Sequence, residues 1–333
     1  MKSLRAMAFA VFTAIGLTAP VHAQDINFFT IGTGGVSFTY YPVGGMIANA
    51  ISKPPGSRAC GQGGSCGVDG LIASAVSTRG SVDNIAAIIS GLRNSGFAQS
   101  DLAYWAYTGT GVDAGQPPAT DLRTIASLFE EHIHLVTLQS SAINTVADLR
   151  GKRVSLDERG SGTYVDANLI LEAHGFGSGD IVERNLKGTD ATQALRDGIL
   201  DALFIVAGYP TRALVDLAGV ADIKLVPIDG ADAAKLTDKF TFFSNSTIPA
   251  TAYKGIKATP TIAVRAQWYT NVNEDDDLIY KLTKALWNAE TLQLMDEGHA
   301  AGRTIRLETA LDGLSVPLHL GAERFYRESG LLD

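Results

Sequence analysis

The chain has 333 residues, 46% of them hydrophobic, with 27 Lys and Arg against 35 Asp and Glu. This is ample for real cores, and the mildly acidic balance without a basic block argues against a nucleic-acid partner, which needs clustered Lys and Arg. The length allows one large domain or two of about 150 residues each.

Lys2 and Arg5 open the chain, the uncharged run Ala6 to Leu17 follows, and Pro20 and Val21-His22-Ala23 close it. That is the layout of a cleaved secretory signal over 1–23, with the cut after Ala23. The run is too short for a bilayer core, which needs ~20 apolar residues. The mature chain is therefore expected to be exported and soluble.

Ile26 to Ile31 reads as a strand, Gly32-Thr33-Gly34-Gly35 as a tight turn, and Pro42 to about Ile51 as a helix. Cys60 and Cys66, alone in a Gly-rich loop, read as one disulfide in an exported chain. Leu71 to Val76 is a second strand, and Ser81 caps a helix from Val82 to about Ser90. Phe97-Ala98-Gln99 is a third strand, with Ser100-Asp101 capping a helix towards Tyr107. Gly109 to Pro118 is a loop.

Two apolar runs follow, Arg123 to Leu128 and Ile133 to Leu138, and the alternation then restarts. Arg153 to Leu156 is a strand, Asp157 to Thr163 a polar Gly loop, and Tyr164 to His174 a helix. Strand-helix pairs are expected around Val182–Asp197 and Ala202–Leu217, then a strand at Ile223 to Pro227 and a helix at Ala231 to Lys239. Thr261 to Trp268 is a late strand, Asp275 to Glu290 a helix with an acidic first turn, and Leu320 to Ser329 a closing helix. Alternating strands and helices predict parallel sheets. The restart after Leu138 predicts two lobes joined by two crossing strands: 24–132 plus 264–333, and 133–263. Open α/β sheets bind ligands at the carboxyl ends of their strands, so the two lobes should face each other across a cleft.

Three small-residue stretches lie where strands should end and helices begin: Gly32 to Gly35, Gln99-Ser100-Asp101, and Gly160-Ser161-Gly162-Thr163. Each should present free backbone N–H groups, a ready site for an anion such as a carboxylate. The hydroxyls of Thr33, Ser100, Ser161 and Thr163 add donors. Ordinary capping is the alternative for any one stretch. Enzyme and cofactor motifs are incomplete. The first stretch lacks the third Gly of a dinucleotide fingerprint, Gly151-Lys152-Arg153 is no phosphate loop, and Gly160-Ser161-Gly162 is not a hydrolase elbow. His132 and His134 would face one side of a strand, but no third ligand is placed, so a cleft-lining or hinge role is expected and no metal.

Together these stretches resemble the TAXI family, the solute receptors of one branch of the TRAP (tripartite ATP-independent periplasmic) transporters. The resemblance rests on Thr30 to Gly35 with Tyr40-Tyr41-Pro42-Val43-Gly44-Gly45, on Gly80 to Ile85, on Phe97 to Asp101, on Asp148 to Val154 and on Gly160 to Thr163. Late matches are Ile248-Pro249, Tyr253-Lys254-Gly255 and Pro317-Leu318-His319. It implies a type II periplasmic binding fold, no catalysis, no cofactor, and delivery of a carboxylate, glutamate-like or 2-oxoglutarate-like, to a TRAP-type permease. A monomer is expected. The ligand contacts implied are Gly34, Gly35, Tyr40, Gln99, Ser100, Ser161, Gly162 and Thr163, with Thr33 a further candidate and the stretch through Tyr209 as the far wall. Tyr164 stands where many members carry a charge, and Phe38 makes its segment bulkier. Both bear on ligand identity. The other readings are an exported sensor acting on a membrane protein other than a permease, and an exported hydrolase using Ser161.

Overall fold

The computed structural model describes residues 26–333. The expected signal segment and its cleavage site lie outside them. Among the described residues no helix is long and apolar enough to cross a membrane.

The chain opens as β1 (Asn27–Gly32), α1 (Tyr40–Ile51), and the short strands β2 (Ser52–Lys53) and β3 (Val68–Asp69), which pair with each other. Cys60 and Cys66 are disulfide-bonded in the loop between them. Then come β4 (Leu71–Val76), α2 (Ser81–Ile89), β5 (Ser95–Gln99), α3 (Ser100–Thr108) and β6 (Leu122–Leu138). The middle of the chain forms β7 (Arg153–Ser155), α4 (Gly162–Ala173), β8 (Val182–Arg184), α5 (Gly188–Arg196), β9 (Ala202–Ala207), α6 (Arg212–Val220), β10 (Ile223–Val226), α7 (Gly230–Lys239) and β11 (Ser244–Ile248). Last are β12 (Thr259–Asn271), α8 (Asp276–Leu286), α9 (Ala289–Gly298) and α10 (Leu320–Glu328).

The main path of the large sheet runs β4-β1-β5-β12-β6-β9-β7-β8, with β10 on β6 and β11 on β12. β1, β4 and β5 are parallel, as are β7, β8 and β9, matching the strand-helix alternation. The expectation of parallel sheets holds within each half, while the two strands that cross between them, β6 and β12, run antiparallel to their neighbours. These two long strands join the halves. β6 pairs β12 over Leu122–His132, then β9 and β10 over His132–Leu138. β12 pairs β11 near its start and β5 near its end.

Side chains follow this division. Phe29, Phe97, Trp268 and Ile47 pack with α8 and α10 in one cluster, and Leu203, Ile205, Leu214 and Leu217 form another. The largest cluster runs from Ile88, Leu102 and Trp105 through Leu135 to Phe204 and Ile170, so apolar contact is continuous between the halves. Ser81 and Ser100 are first residues of their helices, not caps; Gly80 and Gln99 hold the cap positions. Asp275 does cap, accepting from the Leu278 N–H at 2.7 Å. The single helix expected over 275–290 is two, broken at Trp287 and restarted by Asn288.

Candidate functional site

A narrow cleft lies where β1, β5, β7 and β9 end. Gly34, Gly35, Phe38, Thr39 and Tyr40 line it from the β1–α1 turn, and Arg79, Gly80, Ser81 and Gln99 from the next two connections. Glu131 of β6 forms part of its wall. Asp157, Ser161, Gly162, Thr163 and Val206 face these from the other half. The free space is about 30 Å³, enough for one or two waters. The halves touch: the Asp83 N–H donates to the Gly160 carbonyl at 3.2 Å, and the Thr39 hydroxyl to the Gly208 carbonyl at 2.7 Å.

Local chemistry explains the donors. Ser161 caps α4, its oxygen accepting from the Tyr164 N–H at 3.0 Å. Thr163 accepts from the Val206 N–H at 3.0 Å. Each hydroxyl thus has its acceptor side used by backbone; the Ser161 proton is directed at the Asp157 carboxyl, and that of Thr163 is left to donate. Gly162 makes room for Gln99: a Cβ there would run into the end of its side chain. Gln99 accepts from the Ser81 hydroxyl at 3.2 Å and donates to Asp166 Oδ2 at 2.8 Å. Gly188 likewise leaves room for the Phe38 ring.

The acids of this wall are unusual. Glu131 is buried, and its Oε2 accepts a hydrogen bond from the Tyr40 hydroxyl at 2.5 Å. Burial pushes its carboxyl up to about 8, with the hydrogen bond from Tyr40 opposing and the charge of Asp101 adding. Burial pushes Asp157 up to about 7. Asp157 also has a φ of 69°, a left-handed backbone that non-glycine residues adopt at some cost and that clusters at functional sites. Arg79 is the cleft's one lining cation among the described residues, and it is paired to Asp83 at 2.8 Å. The wall therefore offers hydrogen-bond donors and proton-bearing acids at neutral pH, with little fixed charge.

Of the residues singled out in the sequence, Gly34, Gly35, Tyr40, Gln99, Ser161, Gly162 and Thr163 come together here. Three do not. Thr33 is fully buried, its hydroxyl spent on the Val76 carbonyl at 2.8 Å. Ser100 is buried behind Gln99, with its carbonyl accepting from Ser315 at 3.2 Å. Tyr209 lies on the opposite side of the crossing strands, packed on the His132 ring at 4.6 Å, in a separate groove of about 570 Å³ with Glu130, Arg265 and Arg303. Phe38 does reach the cleft; Tyr164 does not line it and lies instead beneath Arg159. His134 is enclosed, with its ring nitrogens facing the His132 and Ile205 carbonyls and the Tyr253 hydroxyl. Burial pulls His132 down to about 4 and His134 to about 3, so both are neutral. Glu131 and Asp157 were missed. Only a left-handed non-glycine turn or knowledge of which strand face meets the cleft identifies them, and neither is written in residue type.

A family model described as the NMT1-like family matches residues 31–330. Among solved structures, a protein from Bordetella bronchiseptica RB50 is 17% identical, with 90% of this chain and 82% of that one covered and a TM-score of 0.50. XAC2383 from Xanthomonas citri bound to chloride ion is 10% identical, over 90% and 99%, with a TM-score of 0.50. The periplasmic aliphatic sulphonate binding protein SsuA from Escherichia coli is 16% identical, over 90% and 78%, at 0.42. At such identities the likeness is one of fold: a mixed α/β fold with a central sheet and helices.

Proposed function

Because the chain belongs to the NMT1-like family, we propose that it is an exported solute-binding receptor, not an enzyme, that captures a small organic anion and hands it to a membrane transporter. The observation that carries this is the cleft itself. It lies between two halves joined by β6 and β12, and the hydroxyls of Ser161 and Thr163 converge on it from one side and the β1–α1 turn from the other. We take the lobes as 24–132 with 264–333, and 133–263. A carboxylate between them would accept from the N-terminal turns of α1 and α4 and from those hydroxyls. A solute larger than the present space enters only when the lobes part, and bridging contacts then favour the closed form.

The motif resemblance supports a periplasmic receptor for a carboxylate and a TRAP-type permease as partner. Neighbouring genes for such a permease, or for an ATP-binding subunit instead, separate the two transporter classes. The solute is tested by a thermal-shift screen of glutamate, 2-oxoglutarate, other dicarboxylates, aromatic acids and aliphatic sulphonates, because binding to the folded state alone raises stability. A carboxylate hit supports the reading; hits confined to sulphonates or to uncharged solutes overturn the carboxylate assignment. Replacing Ser161 and Thr163 together with Ala should weaken binding of the hit by about 10²- to 10⁴-fold, as expected for two lost charge-assisted hydrogen bonds. Unchanged affinity in calorimetry would remove both residues from the site.

A further inference from the structure

Behind the cleft, two carboxyl groups meet with nothing to neutralise them. Asp101 stands in the first turn of α3 and Asp166 in the second turn of α4, one from each lobe, and both are fully buried. Asp166 Oδ2 accepts from Gln99 Nε2 at 2.8 Å. Its Oδ1 and both oxygens of Asp101 make no hydrogen bond of good geometry, and only the backbone N–H groups of Asp101 and Leu102 lie close to the Asp101 carboxyl. The groups around them are Gln99 on β5, Glu131 on β6 held by Tyr40 of α1, and Tyr269 on β12, whose hydroxyl donates to Gln267 at 2.5 Å. None is cationic. The histidines nearest in sequence to Glu131 are neutral, and His132 lies on the other face of β6.

Two adjacent carboxylates buried without a cation repel each other and leave lone pairs unsatisfied. One proton between them turns the repulsion into a donor–acceptor pair. We propose that Asp101 and Asp166 bind a single shared proton across the lobe interface, so that closing the cleft takes up a proton and opening it releases one. This rests on the reading of the cleft as a closing solute site. Burial holds both groups above the usual carboxylate range, and for Asp166 the charge of Asp101 adds to it. Once the lobes part, water reaches both and they ionise at neutral pH. The closed form binds more protons than the open one, so raising the pH favours opening and weakens solute capture.

The test needs no solute. Small-angle scattering of the full chain from pH 5 to 9 should show the radius of gyration rising with pH. In Asp166→Asn the amide oxygen can keep the Gln99 bond while its N–H₂ donates permanently to Asp101, so this variant should hold the compact shape across the range. A difference titration should show about one fewer proton taken up by Asp166→Asn above the ordinary carboxylate range. Asp101→Asn serves if circular dichroism shows Asp166→Asn unfolded. A flat wild-type profile, or a variant that follows the wild type, overturns the proposal. Failure of every acid in the solute screen would instead overturn the reading of the cleft and leave this result standing.

Discussion

Glu131 is the residue whose ionisation should be felt most simply. Its carboxyl is pushed up to about 8, mainly by burial, against 4.5 in an exposed glutamate. The folded chain therefore keeps a proton that the unfolded chain releases, and stability falls as pH rises from 4.5 through 8. Glu131→Gln keeps an oxygen for the Tyr40 hydroxyl and removes the titration. Chemical denaturation should show a flatter pH profile for the variant and, above pH 8, a gain of roughly 1–3 kcal/mol over the wild type, the scale of a buried unsatisfied charge relieved. A steeper or unchanged profile would remove Glu131 as the source. At this scale the sequence was legible where chemistry and turn coincide. Gly160 to Thr163 announces a helix start, and both hydroxyls arrive in the cleft. Thr33 belongs to an equally promising stretch but turns its hydroxyl onto β4, because its direction follows from the register of β1 on β4 and not from its type.

Elements are legible in the sequence where one period holds and obscure where function interrupts it. β6 looked like two runs because Glu130-Glu131 breaks the apolar pattern. It is one strand of 17 residues, and the acids sit where it leaves one half and enters the other, Glu131 facing the cleft and Glu130 the opposite groove. β11, Ser-Asn-Ser-Thr-Ile, is too polar to announce itself and exists because β12 offers it an edge. The α8–α9 break was hidden in an amphipathic run. Asn288 makes it, its side chain accepting from the Thr291 N–H at 2.8 Å and donating to the Cys66 carbonyl at 3.4 Å. Asn288→Ala should cost about 1 kcal/mol, the usual value of a lost cap. Hydrogen exchange should show the loss concentrated in the first turn of α9, while solute affinity stays the same. Uniform protection along α9 in the variant would mean that packing, not the cap, starts this helix.

At the scale of the whole molecule, two spaces flank the crossing strands. Side chains alternate across a strand: Glu131 faces a cleft of about 30 Å³, while His132 faces a groove of about 570 Å³ walled by Tyr209 and Ala252 from one half and Ala300 and Arg303 from the other. If β6 and β12 are the pivot, any rotation that widens the cleft brings the walls of the groove together. Packed cores do not deform continuously, so the two spaces should change together and in opposite senses. Single cysteines can report this cleanly, because Cys60 and Cys66 are bonded to each other and no other cysteine is present. Ala252→Cys, half-buried in the groove wall, should react with a maleimide several-fold more slowly when solute is dialysed away. Phe38→Cys, in the cleft wall, should react faster under the same change. Both rates moving in the same direction would mean that the halves loosen without rotating, and the crossing strands would then be tethers and not a hinge.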